Sequence, residues 1–423
     1  MQRGDIVADL FCGIDFGTSN STVSLADRDR AWLLPLEGTD VTLPSAVFWD
    51  ADGGPPEFGR AAIAAYVRGD DGRLMRGLKS TLSSGLIDEK TAVGGRAVSF
   101  VDVLARFIAH MKGRLDQATG GMTQVVLGRP VHFVDDDAAG DAKAEAVLEQ
   151  IARAQGFRDV LFQYEPIAAA LHYEQGITTE ELVLITDIGG GTSDFSIVRV
   201  SPRRARAHDR AADILANDGI RVGGTDFDRM LSLAEVMPHL GYMTTTGKGK
   251  SLMPRHYYLD LATWNRINFL YTQRTASDLK ALAAAADSPD LLARLVRVVA
   301  GRHGHSLAMA VEAAKITLSG ADVARIQLSD LAGGPNPLIH RAAFEAAVSA
   351  PIDRIKARIA TVLQDAGLRA DQIGTVFMTG GSSGLPLLHA AVAQTLPGVA
   401  IATGDMLGSV GAGLALDARR RFG

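Results

Sequence analysis

Residues 13–23 read GIDFGTSNSTV, and residues 185–198 read ITDIGGGTSDFSIV. In each, an apolar run ends in an aspartate, a Gly-Thr-Ser turn follows, and apolar and polar residues then alternate. That order is strand, tight turn, strand: a β-hairpin whose tip is crowded with backbone N–H groups and hydroxyls. The two copies lie about 170 residues apart. A repeated element at that distance implies two related lobes, each opening with the same hairpin.

Helical patterns fill the spaces between. Val101, Leu104, Phe107, Ile108, Met111 and Leu115 recur at i, i+3, i+4 spacing, which predicts an amphipathic helix over 101–115. Segments 142–154 and 351–366 read the same way. The runs 125–127, before Gly128, and 375–378, before Gly380 and Gly381, read as buried strands. Strands alternating with helices place the chain in the α/β class with parallel pairing in each sheet. The expected division is a first lobe over 1–182, with a peripheral subdomain about 41–122, completed by 404–423. A second lobe covers 183–403, with a peripheral subdomain about 229–325. Within it, 244–250 reads as a polar loop and 264–271 as aromatic-rich helix. GKGKS at 247–251 lacks the glycine at 242 that a Walker A loop needs, so it is not read as a phosphate loop.

Composition narrows the function classes. The 423 residues carry 43 Lys and Arg against 48 Asp and Glu, a net charge of -5 that creates no field for gathering nucleic acid. The basic cluster Arg203, Arg204, Arg206 and Arg210 reads as a solvated hairpin loop. Cys12 is the single cysteine, which excludes a disulfide framework and a cysteine metal cluster. Asp5 and Asp9 interrupt any secretory leader, and Asp405 with four glycines interrupts the longest apolar stretch, 399–416. A cytoplasmic protein without a membrane span is the expectation. His303 and His305 flank a glycine with no acidic neighbour and read as loop.

A nucleotide triphosphate with Mg requires N–H groups around the phosphates, carboxylates near the metal and a group to orient a nucleophile. The tips supply the first through Gly17, Gly189, Gly190 and Gly191, with hydroxyls from Thr18, Ser19, Thr192 and Ser193. Asp15 and Asp187 end the first strand of each hairpin and are suited to Mg, which keeps several waters and takes one or two carboxylates. Either turn alone reads equally as an Asx-type turn.

GIDFGTSNS resembles the first phosphate motif of the actin, hexokinase and DnaK superfamily, and ITDIGGGTSDFSIV its second. EPIAAALHY at 165–173 resembles the connecting motif, and GGTDFDRML at 223–231 a stretch typical of DnaK-type chaperones. VFMTGGSSGLP at 376–386 is similar to the nucleoside-side motif, and GDMLGSVGAGLAL at 404–416 to the final helix that returns to the first lobe. The chain is thereby identified as a short relative of the DnaK-type heat shock protein 70 family. The resemblance implies the actin-like ATPase fold, two lobes of mixed sheet and helices around a nucleotide cleft, each with an inserted subdomain. It implies ATP or ADP with Mg, slow hydrolysis coupled to lobe closure, a chaperone-like or regulatory role and an unidentified protein partner or client.

The resemblance also implies residue roles. Asp15 and Asp187 would hold Mg through water, supported by Asp194. Thr18, Ser19, Asn20, Gly17 and Gly189 to Thr192 would bind phosphates. Lys79, in RGLKSTL, would meet the γ-phosphate and the attacking water, its alternative being a surface lysine. Glu165, before Pro166 at the first helical position, would orient water or a Mg ligand, its alternative being a helix cap. Asp187 and Thr192 complete the catalytic set. Gly223, Gly224, Glu312, Lys315, Ser319, Gly380, Gly381, Ser382 and Asp405 would contact the nucleotide. The chain departs from the family where two arginines sandwich adenine: Ile316 and Gly384 stand there instead. Ala138 stands near the place of an arginine in the interdomain relay. The chain ends at DARRRFG, so a peptide-binding domain and a peptide-clamping cycle are not expected. Two other readings share the fold, a bacterial actin-like filament protein and a small-molecule kinase.

Overall fold

The computed structural model describes residues 10–82, 85–93, 96–134, 137–207, 210–404 and 408–423. Both hairpins form. Phe11–Phe16 pairs antiparallel with Asn20–Ala26, and Glu181–Ile188 with Ser193–Val200. Each hairpin is the centre of a five-strand path of identical topology. In the first, Ala31–Leu33 lies antiparallel on Asn20–Ala26, while Gln124–Arg129 and then Asp159–Tyr164 add in parallel beyond Phe11–Phe16. In the second, Ile214–Ile220 lies antiparallel on Ser193–Val200, while Thr375–Thr379 and Ala400–Thr403 add in parallel beyond Glu181–Ile188. The repeat read from two short motifs therefore extends over both whole sheets. Thr42–Pro44 adds a further strand to the first sheet.

The parallel strand Gln124–Arg129 is apolar at its centre, as a strand inside a parallel sheet requires. Val125, Val126 and Leu127 are all buried. Helix Phe100–Thr119 turns Val103, Phe107 and Met111 into the first core, where Phe107 meets Phe16 with ring centroids 5.8 Å apart. Its predicted partners also form, as Ala138–Ala154 and Ser349–Asp365.

The final helix, Ser409–Phe422, returns to the first sheet and lies against Glu165–Tyr173. Small residues permit a backbone-to-backbone approach. A Cβ on Gly413 would fall 1.7 Å from the Ala168 carbonyl oxygen, and one on Gly13 would fall 2.5 Å from the Ala415 nitrogen. Ser24 Oγ stitches the seam, placed 2.5 Å from the Gly411 carbonyl oxygen and 3.0 Å from that of Gly13. Asp417, wholly buried, accepts from Gln163 Nε2 at 3.1 Å and is paired with Arg420 and Arg421.

The chain divides into two compact units. One comprises Met1–Gly223, Ile355–Gly384 and Leu388–Gly423, and holds both hairpin sheets. The other comprises Gly224–Arg354 and Leu385–Leu387. In the second unit the expected helix over 264–271 is broken: Arg255–Leu261 is α-helical, Ile267–Leu270 is a 3-10 turn, and Trp264 lies between them. His303 precedes helix Gly304–Gly320, and His305 is buried within that helix against Trp264, ring centroids 5.2 Å apart, so this is packing rather than loop. The basic cluster is also only partly solvated. Arg210 is buried, donating to Glu174 at 2.6 and 2.9 Å and paired with Asp213, because a buried guanidinium must be matched by carboxylates.

The helix seam yields a direct test. Alanine normally stabilises a helix interior over glycine by about 1 kcal/mol. Gly413→Ala should instead destabilise the protein by about 1–3 kcal/mol, since overpacking against a fixed carbonyl outweighs propensity. Urea unfolding of wild type and variant measures the difference. An unchanged or raised midpoint would contradict the packing described.

Candidate functional site

The two hairpin tips meet. A Cβ on Gly190 would fall 2.2 Å from Ser19 Oγ, and one on Gly191 3.3 Å from the Thr18 side chain. Bare backbone therefore faces the first tip, as a close-approach site requires. The first tip is clamped by Ser45, whose N–H donates to the Ser19 carbonyl at 2.9 Å and whose Oγ donates to the Gly17 carbonyl at 2.7 Å. Ser45 carries no motif and escapes sequence reading; its sign is only its burial. In the second tip, the Gly189 N–H donates to the Thr192 carbonyl at 2.9 Å. Ser382 closes over this tip, its N–H donating to the Ile188 carbonyl at 3.0 Å and its Oγ to the Gly189 carbonyl at 3.1 Å. Gly380, at φ +87°, leaves room for Asp187: a Cβ there would fall 2.4 Å from Asp187 Oδ1. Gly223 packs as closely on Gly190, 2.6 Å from Cβ to its carbonyl carbon. Gly381 lies in the turn beside Gly380, and Asn20 opens the returning strand of the first hairpin.

Lys79 is not a surface lysine. It sits in the short helix Leu78–Thr81, started by Gly77 in the left-handed region at φ 65°, and is 6% exposed. Its ammonium is ion-paired with the equally buried Glu165 carboxylate. Glu165 is the first residue of helix Glu165–Tyr173, which places Pro166 one position later than expected, and the preceding Tyr164 supplies no side-chain cap. The carboxylate therefore serves Lys79 rather than the helix end.

Around this pair stand Asp15, Asp187 and Asp194. Asp15 keeps some open surface, while Asp187 and Asp194 are buried. Burial, then repulsion from Glu165, pushes the Asp15 carboxyl up to about 7, against the pull of Lys79. Burial and the charge of Glu165 push Asp194 up to about 7 as well, although it accepts from the Val131 N–H at 3.0 Å. Asp187 is raised well above its ordinary value by burial and by Glu165, Asp194 and Asp15. Burial pushes the Lys79 ammonium down, but Glu165 and Asp15 outweigh it and leave its pKa raised. One cation thus faces four carboxylates, an excess of negative charge that a divalent ion would offset.

Several observations bear on whether these residues suit Mg and a nucleotide. Asp194 Oδ2 is buried without a hydrogen-bond partner, and the glycine tips leave a cradle that any Cβ would fill. Among the described residues no three His, Cys, Asp or Glu side chains are grouped to hold a metal directly. A pocket runs between the tips, lined by Thr18, Gly191 and Thr192, by Lys79, and by His132 and Arg221. Sequence reading missed His132 and Arg221, since neither belongs to a phosphate motif.

Four expected nucleotide residues, Gly224, Glu312, Lys315 and Ser319, lie in the second unit. Lys315 is buried and paired with Asp228 at 2.8 Å, and it donates to the Gly224 carbonyl at 3.2 Å. Its ammonium is committed to that partner. Ser319 Oγ donates weakly to the Lys315 carbonyl at 3.4 Å, and Glu312 lies one turn earlier on the same helix. Ile316 is 63% exposed. Asp405 lies outside the described residues. The GKGKS loop has its own anion: Lys248 and Gly249 N–H groups donate to the Asp287 carboxylate at 2.8 and 2.7 Å. A loop already filled by an internal carboxylate does not act as a phosphate loop.

The crowded carboxylates set a pH dependence. Asp194 holds its proton to about pH 7 in the folded chain, against 3.8 for the free side chain. Between those values the folded state binds more protons than the unfolded one, so stability falls as pH rises through that window. In ligand-free protein, Asp194→Asn should match wild type near pH 4 and be more stable than wild type at pH 8. Urea midpoints at the two pH values test this. A difference independent of pH would show that Asp194 is not held protonated.

A model of the Hsp70 protein family matches residues 80–237 and 301–405, more than half of the chain. The chaperone protein HscA of Klebsiella pneumoniae (strain 342) is 26% identical over 406 residues, covering 91% of this chain and 54% of that protein. HscA of Serratia proteamaculans (strain 568) is 28% identical over 406 residues, covering 90% of this chain and 53% of that protein. The HscA homolog of Methylibium petroleiphilum is 26% identical over 400 residues, covering 90% of this chain and 53% of its own length. The chain spans about half the length of the curated relatives it matches. With its duplicated hairpin sheets it has the actin-like ATPase fold, and it belongs to the Hsp70 family.

Proposed function

We propose that this chain is a cytoplasmic, Mg-dependent ATP-binding protein that hydrolyses ATP slowly, couples hydrolysis to lobe closure and acts in a chaperone-like or regulatory role on a protein client. The observation that carries this reading is the meeting of two glycine tips beside one buried lysine among four carboxylates. No helix among the described residues is long and apolar enough to cross a membrane. The HscA proteins it resembles are chaperones by name, which supports the client-directed role.

In this reading Asp15, Asp187 and Asp194 are the residues that would hold Mg. When bound, the ion neutralises charge on the terminal phosphates. The N–H groups of Gly189 to Thr192 and the hydroxyls of Thr18, Ser19 and Thr192 bind phosphate oxygens. Lys79 supplies a positive charge beside the transferred group, where it counts most in a dry site. Glu165 fixes the ammonium by its ion pair and accepts a hydrogen bond from the attacking water. The Lys79–Glu165 pair is thus both anchor and catalyst: the carboxylate locates the cation, and the cation stays charged because of the carboxylate. The two lobes are taken as 1–182 with 404–423 and 183–403, each carrying one hairpin.

Binding is tested by thermal unfolding with and without Mg. A nucleotide at ~100 times its Kd should add about 2.7 kcal/mol of stability. The expected result is a Mg-dependent rise with ATP in wild type that Asp187→Ala abolishes. No Mg-dependent rise at millimolar ATP would overturn the reading. Hydrolysis is tested by single-turnover cleavage, where Lys79→Ala should lose on the order of 10²-fold in rate. Because a buried Glu165 left alone is destabilising, the Lys79→Met, Glu165→Gln pair serves as the folded control. Cleavage at the wild-type rate in either variant would remove Lys79 from the chemistry.

A further inference from the structure

Each hairpin tip is held by a serine from a distant part of the chain, and the two serines work alike. Ser45 donates through its N–H to the Ser19 carbonyl at 2.9 Å and through its Oγ to the Gly17 carbonyl at 2.7 Å. Ser382 donates through its N–H to the Ile188 carbonyl at 3.0 Å and through its Oγ to the Gly189 carbonyl at 3.1 Å. Gly17 stands two residues after Asp15, and Gly189 two residues after Asp187, so the hydroxyls meet equivalent carbonyls of the repeat. Both serines are buried. The single hydroxyl proton of Ser45 lies on the Gly17 carbonyl, which leaves Ser21 Oγ, 2.9 Å away, as the donor to Ser45 Oγ. The clamp of the first tip is therefore itself held.

A trans peptide is planar, and its C=O and N–H point in opposite directions. A hydroxyl that anchors the Gly17 carbonyl aims the Thr18 N–H away from Ser45. One that anchors the Gly189 carbonyl likewise aims the Gly190 N–H away from Ser382. Thr18 lines the pocket between the tips, whereas neither serine does. The glycines cannot fix these peptides themselves, because they lack the Cβ that restricts backbone rotation. No side chain fits at Gly17, where a Cβ would fall 2.1 Å from the Asn20 carbonyl oxygen. Rigidity at the tip has to come from outside it.

We propose that Ser45 and Ser382 are positioning residues, a matched pair of clamps that preset the Thr18 and Gly190 N–H groups before any nucleotide arrives. This rests on the proposed function, which makes phosphate the anion those groups meet. A preset N–H group binds an oxyanion without the cost of being ordered at the moment of binding. The assignment also changes the role of Ser382, whose hydroxyl is committed to the tip rather than offered to the nucleotide. Removing either hydroxyl leaves the hairpin strands paired but lets the tip peptide rotate.

The test has two arms, both on the full chain. In the first, ligand-free protein carries isotope-labelled threonine and glycine, and NMR relaxation dispersion follows the Thr18 and Gly190 amides. Wild type should show no microsecond-to-millisecond exchange at either amide. Ser45→Ala should introduce it at Thr18, and Ser382→Ala at Gly190. Ser45→Thr and Ser382→Thr, which keep the hydroxyl, should stay quiet. Should Ser45→Ala fold poorly, Ser382→Ala carries the test at the matching carbonyl. In the second arm, Mg and ADP are titrated calorimetrically. Each alanine variant should bind about two- to tenfold more weakly than wild type, the value of one neutral hydrogen bond, and the threonine variants should bind as wild type does. Quiet amides in the folded alanine variants, or unchanged ADP affinity in them, overturns the clamps. Absence of ADP binding by wild type would instead sink the phosphate reading, while the amides still decide whether the serines hold the tips.

Discussion

The buried pairing of Lys79 with Glu165 is the interaction on which the site depends. Burial and the Glu165 charge raise the proton affinity of Asp15, Asp187 and Asp194, Asp194 and Asp15 raise that of Asp187 further, and a single ammonium opposes them. Without that cation the cluster would be costly to bury, because unpaired charge in a protein interior is penalised heavily. With it, the ligand-free protein tolerates the carboxylates partly protonated and keeps a surplus of negative charge. In the proposed reading a divalent ion offsets that surplus, and the cost of the crowding falls on the ligand-free state.

Around this charge centre the backbone is shaped by missing side chains. Gly190 and Gly191 let the second tip face the first, and Gly380 makes room for Asp187. Gly413 and Gly13 perform a different task at the final helix, where they bring backbone against backbone. The same residue type therefore opens a ligand cradle in one place and seals a structural seam in another. Both tasks need close approach, and only the surroundings tell them apart.

The two sheets share one topology, three antiparallel strands continued by two parallel ones, and in both the motif-bearing strand is central. Central strands are buried on both faces and held on both edges, so the aspartates that end them are fixed in position. A site built on strand ends rather than on long loops holds its carboxylates in repeatable geometry. The segment Pro130 to Phe133 is a connection following the parallel strand Gln124–Arg129, secured through the Val131 N–H and Asp194.

Sequence by itself determined the hairpins, the repeat, the α/β class and the helices read over 101–115 and 142–154, because these follow from local periodicity and turn chemistry. It also marked the tip glycines and the aspartates, which lie inside contiguous motifs. Only tertiary structure decided which lone residues joined them. Lys79 and Glu165 are 86 positions apart, and their pairing depends on how a short 3-10 turn packs against a distant helix. Ser45, His132 and Arg221 reach the site through long-range folding and leave no local pattern. The same holds for two loops whose partners lie far along the chain. Asp287 fills the GKGKS loop from across the second unit, and Glu174 turns Arg210 from a solvated charge into a buried one. Spacing along a chain reports what neighbours do to each other; which charges meet across it is fixed only when the core closes and every buried ion must find a partner.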